Sequence, residues 1–272
     1  MLSCCGICVP GAVNAVRSPQ PPEAQPKITQ VSFTDVMQSA YREPDSITHY
    51  GPSPLQQAFY WASVQPRRAT VIFVHGGCWL NSFDVQHAKP LATALSAQGY
   101  DTWAIEYRRT GDSGGGWPGS RDDVIQAVDH LLPHVITSPV ILMGHSAGGH
   151  LALLAASHHH QAVSAVIGLA AITNVSRYAA GDNSCQQATT QFMGGTPEAL
   201  PTDYQQADVN RNTPHRRTVL LHGESDLLVP VAQAELSPAQ RVLLPDVGHF
   251  DWIHPDSLAF QTLLSALKKV QS

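Results

Sequence analysis

Short apolar runs of strand length alternate with helix-forming segments along most of the chain. Runs rich in β-branched, leucine and aromatic residues predict strands, several of them buried on both faces. These predicted strands are Ile47–Tyr50, Gln57–Ser63, Thr70–Val74, Tyr100–Tyr107, Val140–Met143, Ala165–Ala170, Thr218–Leu221 and Arg241–Leu244. Segments with helical pattern or composition predict helices at Phe33–Tyr41, Val85–Gln98, Ser120–His134, Leu151–Ala156 and Pro255–Lys268. The alternation predicts an α/β fold with a mostly parallel central sheet flanked by helices.

One long polar segment, Asn174–Pro214, interrupts this alternation between two predicted strands. Connections of such length are uncommon in compact domains unless they have a function. We therefore predict that residues 31–272 form one domain and that residues 174–214 form a small cap beside the site. The alternative is a surface excursion that has no part in substrate binding.

Residues 1–30 are predicted to be a disordered N-terminal tail, since the segment Ser18–Pro26 is rich in proline and glutamine. The first sixteen residues also loosely resemble a secretory signal, with Val13-Asn14-Ala15 as its cleavage site. No lysine or arginine precedes them, however, and cysteine, glycine and proline interrupt the apolar run. A cytoplasmic location is the prediction, and a secreted or periplasmic one is the alternative.

Composition excludes several classes of partner. Hydrophobic residues make up 43% of the 272 residues, charged residues make up 14%, and the net charge is −5. This charge gives no electrostatic reason to expect nucleic acid or an anionic membrane as a partner. No apolar run is long enough to span a bilayer. The predicted partner is a small molecule, and the oligomeric state stays open.

The five cysteines do not predict a disulfide framework, because their number is odd and their spacing is uneven. Cys4, Cys5 and Cys8 crowd together, whereas Cys78 and Cys185 stand alone. A reducing compartment is therefore expected. The N-terminal group has no second Cys/His cluster that would complete a metal site, so no metal is predicted.

The segment Gly144-His145-Ser146-Ala147-Gly148 lies between a predicted buried strand and a predicted helix. Its G-x-S-x-G spacing places serine on a sharp strand-to-helix turn, where the two backbones approach so closely that neighbouring residues must lack a Cβ atom. Such a turn exposes the Ser146 hydroxyl and leaves the Ala147 N–H at a helix N-terminus, where it can bind an anion. In this context the motif predicts a nucleophilic serine, and an ordinary tight turn is the alternative.

A nucleophilic serine needs a base and a third group that orients the base. Asp226 follows the strand Thr218–Leu221, and His249 follows the strand Arg241–Leu244. The order Ser, Asp, His is the one that α/β proteins with such a turn use. We predict that Ser146, Asp226 and His249 form a catalytic triad.

Other acids and histidines compete for these roles. Glu224 and Asp246 are the alternative acids. Because the chain has 14 histidines, a single one carries little information, and His249 is preferred for its position after a strand and a glycine. The others are predicted in loops or on the surface: His222, His254 and His158–His160.

The buried strand Thr70–Val74 leads into His75-Gly76-Gly77-Cys78-Trp79. Two consecutive glycines at a strand end let backbone N–H groups point at a ligand, as a tetrahedral oxyanion requires. The predicted oxyanion hole consists of the N–H groups of Gly76, Gly77 and Ala147. Trp79 either lines the substrate pocket or wedges the loop in place.

Further side chains are expected around this site. Phe192, Tyr178 and Tyr204 of the insertion are predicted to supply apolar walls to the pocket. Glu106 and Arg108 are predicted to form a buried ion pair, because burying either charge alone would be costly.

Together these motifs resemble those of the α/β-hydrolase superfamily. They are most similar to the H-G-G-x-W group of kynurenine formamidases (arylformamidases) and related carboxylesterases, and the resemblance covers roughly residues 45–270. The motifs concerned are His75–Trp79, Gly144–Gly148, the His-Gly-x-x-Asp run ending at Asp226, Gly248-His249, Glu106-Tyr107-Arg108 and Trp117-Pro118-Gly119. One departure is the short segment Val231–Gln240, which cannot hold a full-length helix between the acid and the histidine.

The resemblance implies an α/β-hydrolase fold and hydrolysis of a carboxylic ester or an N-formyl aryl amide through an acyl-enzyme, with no metal and no organic cofactor. Within the same triad chemistry, an exopeptidase or an acyltransferase is an alternative. A hydrolase-fold protein that only binds its ligand is the alternative from another class. The sequence leaves the acyl group, the leaving group and the choice between ester and formamide open.

Overall fold

The computed structural model describes Met1 and residues 30–135 and 138–271. Cys4, Cys5, Cys8 and most of the predicted N-terminal tail lie outside the described residues, so those predictions and the predicted location are untested. No helix in the described part of the chain has the length and apolar character of a membrane span.

In the described part of the chain, eight strands form one sheet. They are β1 (Ser46–His49), β2 (Gln57–Trp61), β3 (Ala69–Val74), β4 (Tyr100–Glu106), β5 (Val140–His145), β6 (Ala165–Leu169), β7 (Thr218–Gly223) and β8 (Gln240–Leu244). Their order across the sheet is β1-β2-β4-β3-β5-β6-β7-β8. The pairs β1–β2 and β2–β4 are antiparallel, and the remaining neighbours are parallel. The predicted mostly parallel sheet is confirmed.

The helices flank this sheet. They are α1 (Phe33–Gln38), α2 (Lys89–Ala97), α3 (Gly119–Val135), α4 (Ala147–His158), α5 (Val175–Ala179), α6 (Ser184–Met193), α7 (Pro201–Ala207) and α8 (Leu258–Val270). Short 3-10 turns occur at Val85–Ala88, Val209–Arg211, Val231–Ala234 and Phe250–Ile253. The segment between Asp226 and His249 thus holds one 3-10 turn in place of a helix, as its length predicted.

The central strands β3 and β5 are buried at every position. Ile72 of β3 and Leu142 of β5 belong to the core on the side of α3 and α4, whereas Phe73 and Met143 belong to the core on the side of α2 and α8. Because successive side chains of a strand point to opposite faces, a sheet covered on both sides needs apolar residues at consecutive positions. This explains the uninterrupted apolar runs in the sequence.

Two helices differ from their predicted bounds because of local capping. The last helix begins at Leu258 and not at Pro255, because the Ser257 hydroxyl accepts a hydrogen bond from the Phe260 N–H at 3.1 Å and so caps it. The predicted helix Val85–Gln98 divides into a 3-10 turn, capped by Asp84, and α2.

The insertion at residues 174–214 folds into α5, α6, α7 and the turn Val209–Arg211. Side chains of Asn174 and Asn183 cap α5 and α6, respectively. Phe192 and Tyr178 of the insertion pack inward against Trp79 of the loop that follows β3. The insertion therefore lies beside the carboxyl end of the sheet, where ligands bind in this class of fold.

Candidate active site

Ser146 occupies the turn between β5 and α4 with φ of 54° and ψ of −121°. This left-handed conformation is unusual for a residue with a side chain and is typical of functional turns. A Cβ atom on Gly144 would clash with the Gly148 carbonyl, and one on Gly148 would clash with the Val74 carbonyl. Both glycines are therefore needed where strand and helix backbones meet.

The structure brings Asp226 and His249 together. The His249 Nδ1 atom lies 2.7 Å from Oδ2 of Asp226, and both residues are buried. The other carboxylate oxygen of Asp226 accepts the N–H groups of Leu228 and Val229, each at 2.8 Å. Since a carboxylate can only accept, Nδ1 of His249 carries the proton of this hydrogen bond, and in the neutral imidazole Nε2 has the lone pair.

The environment of Asp226 keeps its carboxyl ionised. Burial acts to raise its pKa, but the charge and hydrogen bond of His249 and the Val229 N–H outweigh burial, so the pKa lies below its usual range. His222 adds a smaller effect in the same direction. The prediction of a loop or surface position was wrong for His222, which is buried in β7 with Nε2 2.8 Å from the Val229 carbonyl.

His145 packs against the catalytic histidine candidate, with 4.5 Å between ring centroids. Its Nε2–H donates to the His249 carbonyl at 3.0 Å. Burial, together with the neighbouring His249, holds the pKa of His145 well below its usual range. His145 thus stays neutral and adds no positive charge beside His249.

Ser146 and His249 line one cavity of about 470 Å³. Its remaining lining is mostly apolar and comes from six segments of the chain: Phe33, Gly77, Cys78, Leu80, Phe83, His87, His145, Ser184, Cys185, Leu228 and Phe250. Phe33 packs edge-on against Phe83 at 5.5 Å between centroids and lies 5.6 Å from the Phe250 ring. These aromatic residues were not predicted as pocket lining, because nothing in their local sequence pattern distinguishes pocket lining from core.

The three predicted oxyanion donors lie around Ser146. Gly76 is so close that a Cβ atom placed on it would lie 3.2 Å from the Ser146 Cβ. Gly77 has φ of 105° and lines the cavity, while Ala147 is the first residue of α4. The glycine loop, His75–Trp79, and the N-terminus of α4 therefore both lie beside Ser146.

The predicted pocket walls Trp79 and Phe192 do not line this cavity. Their rings stack on each other with centroids 4.6 Å apart, and both are buried. Tyr178 and Tyr204 are buried as well. The rings of Trp79, Phe192 and Tyr178 fill the space between the loop and the cap. The cap contributes Ser184 and Cys185 to the cavity in their place.

The predicted ion pair between Glu106 and Arg108 is wrong. Glu106 pairs with Arg109, with 3.0 Å between Oε1 and the guanidinium, while Arg108 binds Asp123 of α3 through two hydrogen bonds of 2.9 and 2.6 Å. The strand ends at Glu106. The chain then turns, which brings Arg109 back to Glu106 and directs Arg108 to the neighbouring helix.

A disulfide joins Cys78 to Cys185, with Cα atoms 5.1 Å apart. The expectation that these two cysteines stand alone is therefore wrong. They are separated by 107 positions in the sequence, and only the docking of the cap on the glycine loop brings them together. The bond ties the loop that carries Gly77 to α6.

Removing this disulfide is expected to lower stability. In the chain-entropy description, a cross-link that closes a loop of about 100 residues contributes about 4.7 kcal/mol, because it restricts the unfolded chain, and measured contributions are typically about 2–4 kcal/mol. We expect dithiothreitol to lower Tm by an amount on the order of 5–10 °C in thermal unfolding.

A variant with Cys4, Cys5 and Cys8 replaced by serine should keep this response, and the double variant Cys78→Ala, Cys185→Ala should lose it. Equal Tm values with and without reductant in the wild-type protein would contradict the prediction.

A known protein family and several solved structures are similar to this chain. The family model BD-FAE matches residues 59–239, well over half of the chain. No curated protein sequence matches the chain significantly.

Solved esterase structures share the fold at low identity. Esterase B from Lactobacillus Rhamnosis is 19% identical, with a TM-score of 0.67 over 85% of this chain and 87% of that one. Esterase 2 from Thermogutta terrifontis, phosphonylated by sarin, is 17% identical, with a TM-score of 0.64 over 84% and 94%. The same esterase with propionate bound has a TM-score of 0.61 at 17% identity, over 88% and 96%. The predicted α/β-hydrolase fold is confirmed.

Proposed function

Because this chain belongs to the BD-FAE family, we propose that it is a serine-dependent esterase that cleaves small carboxylic esters. The observation that carries the proposal is the position of Ser146 on a left-handed turn, in the same cavity as a histidine that is hydrogen-bonded to a buried carboxylate. Ser146, His249 and Asp226 take the roles of nucleophile, base and orienting acid.

The protonation of His249 fixes the direction of proton transfer. Nδ1 donates to Asp226, so Nε2 is the atom that takes the proton of the Ser146 hydroxyl as its oxygen attacks the ester carbonyl. The resulting imidazolium is stabilised by the Asp226 carboxylate and returns the proton to the leaving alkoxide. Water then attacks the acyl-serine by the same route, which releases the acid and restores Ser146.

The tetrahedral intermediate of each step carries a negative oxygen. In the proposal, the N–H groups of Gly76, Gly77 and Ala147 bind this oxygen. Donors held in place before the reaction cost no reorganisation as the charge develops, and one such donor typically contributes about 3 kcal/mol of transition-state stabilisation. The reaction needs only a small-molecule substrate as partner.

The cavity favours a short acyl group and a bulky apolar leaving group. Its volume of about 470 Å³ is lined by Phe33, Phe83 and Phe250, which offer aromatic surface for one side of the substrate. The relative with propionate bound is consistent with a short acyl group. An N-formyl aryl amide combines the smallest acyl group with an aromatic leaving group, so it is the finer candidate that the motif resemblance supports.

Activity is therefore expected to fall as the acyl chain lengthens. Each methylene that reaches only water gains none of the ~0.8 kcal/mol that full burial gives. We expect kcat/KM for p-nitrophenyl esters to be highest among acetate, propionate and butyrate and to fall toward palmitate, with N-formylkynurenine assayed in parallel. A maximum at ten or more acyl carbons would contradict the assignment, because it requires a long acyl tunnel.

A further inference from the structure

The imidazole of His75 is fully buried beneath the glycine loop and faces an oxygen atom at each ring nitrogen. Its Nδ1 lies 2.8 Å from the carbonyl oxygen of Gly76, and its Nε2 lies 3.1 Å from Oε1 of Glu106. A carbonyl oxygen can only accept a hydrogen bond. A neutral imidazole has one N–H and therefore cannot donate to both oxygens.

The Glu106 carboxyl is in its ionised form. It accepts hydrogen bonds from the backbone N–H groups of Val85 at 2.9 Å and of Tyr107 at 3.0 Å, and it pairs with the Arg109 guanidinium. Burial acts to raise its pKa, but His75, Arg109 and the Val85 N–H outweigh burial and lower it below the usual range. Glu106 therefore does not supply the proton between itself and Nε2.

We propose that His75 is a buried imidazolium that, held by Glu106, positions the Gly77 N–H as an oxyanion donor. The inference rests on the proposed esterase function and adds to it a positioning residue outside the triad. His75 is fully buried and does not line the cavity, so it does not touch substrate. It acts through the peptide between Gly76 and Gly77.

The geometry of one peptide links the imidazolium to the site. In a trans peptide the C=O and the following N–H point in opposite directions. The hydrogen bond from His75 Nδ1 holds the Gly76 carbonyl toward the buried ring, which directs the Gly77 N–H away from that ring. Gly77 lines the cavity that contains Ser146. A charge-assisted hydrogen bond is shorter and stronger than a neutral one and so fixes this orientation.

The surroundings balance the charge of an imidazolium. Arg109 and His75 are the cations, and Glu106 and Asp112 are the anions, with Asp112 bound to Arg109 at 3.4 Å. Burial, with a further contribution from His75, lowers the pKa of the adjacent His87 to about 3, so His87 is neutral.

Neutral groups complete the support of the ring. The His75 ring stacks on Tyr107 with centroids 4.6 Å apart, and the Tyr107 hydroxyl donates to the His75 carbonyl at 3.0 Å. Ring and backbone of His75 are thus both held from the same side. Neither contact depends on the charge of Glu106, so Glu106→Gln leaves both of them in place.

Glu106→Gln tests the inference, because it keeps the size of the side chain and removes its charge. We expect kcat to fall about 10- to 100-fold with KM unchanged, less than the 10²–10³-fold that complete loss of a donor costs. The matched control is Asp123→Asn, since Asp123 is also a buried carboxylate, paired with Arg108 and bonded to Gln56. The control should change stability but not kcat.

Two further measurements separate positioning from general damage. A trifluoromethyl ketone forms a tetrahedral oxyanion on serine, so its Ki for Glu106→Gln should rise by the factor by which kcat falls. Imidazole ¹⁵N NMR of the wild-type protein at pH 7 should show protons on both ring nitrogens of His75, and the variant should show one. The wild-type spectrum tests the charge of His75 even if the Glu106→Gln variant does not fold.

The outcomes distinguish the inference from the function on which it rests. A singly protonated His75 in an active wild-type enzyme, or an unchanged kcat in a folded Glu106→Gln variant, overturns the inference alone. A wild-type protein without ester turnover overturns the proposed function and, with it, the positioning role.

Discussion

The Ser146→Ala variant is expected to fold normally and to lose ester hydrolysis by a factor of about 10⁴ or more. Alanine adopts the left-handed turn of Ser146 no less easily than serine, and the glycines on either side that permit the close approach remain. The hydroxyl, however, is the atom that forms the acyl-enzyme. Without it, the remaining groups can only bind substrate and polarise its carbonyl.

The measurement is kcat/KM with p-nitrophenyl acetate, together with circular dichroism and thermal unfolding to verify the fold. Ser157→Ala is the matched control, because Ser157 lies on the same helix, α4, and its hydroxyl donates only to the Leu153 carbonyl at 3.0 Å. The control should retain wild-type activity. Activity of Ser146→Ala near the wild-type level would mean that another residue is the nucleophile.

The Asp226→Asn variant is expected to lose activity by about 10⁴-fold through the tautomer of His249. Asparagine can still accept the Leu228 and Val229 N–H groups through its oxygen. Its NH₂ group then faces Nδ1 of His249, where the carboxylate oxygen now lies at 2.7 Å. Donation from that group favours a proton on Nε2, which leaves His249 unable to accept the proton of Ser146.

The control for this variant is Asp246→Asn, which removes the charge of the competing acid. Asp246 has φ of 56°, a conformation that asparagine accepts as well as aspartate. We expect full activity for Asp246→Asn, and likewise for Glu224→Gln. A large loss in either of them with little loss in Asp226→Asn would assign the acid role to a different carboxylate.

Sequence pattern was sufficient for the features that local chemistry determines. The buried strands follow from their continuous apolar runs, and the turn at Ser146 follows from the glycines that strand and helix contact requires. The pairing of Asp226 with His249 was predictable because parallel strands end at one edge of the sheet.

Features that depend on how distant segments dock could not be predicted in the same way. The Cys78–Cys185 bond forms because α6 lies against the glycine loop, and no local pattern encodes that contact. The pocket aromatics Phe33 and Phe250 come from opposite ends of the described chain. Periodicity identifies an aromatic residue as buried, but it does not decide whether the ring meets core, as Trp79 does, or cavity.

The most direct test of the account is covalent labelling of the wild-type protein by a fluorophosphonate, followed by peptide mass spectrometry. If Ser146 is the nucleophile, each chain takes up one phosphonyl group, attached to Ser146, and the Ser146→Ala variant is not labelled under the same conditions. A label on a different residue, or an active wild-type enzyme that takes up no label, would contradict the assignment of Ser146 as the nucleophile.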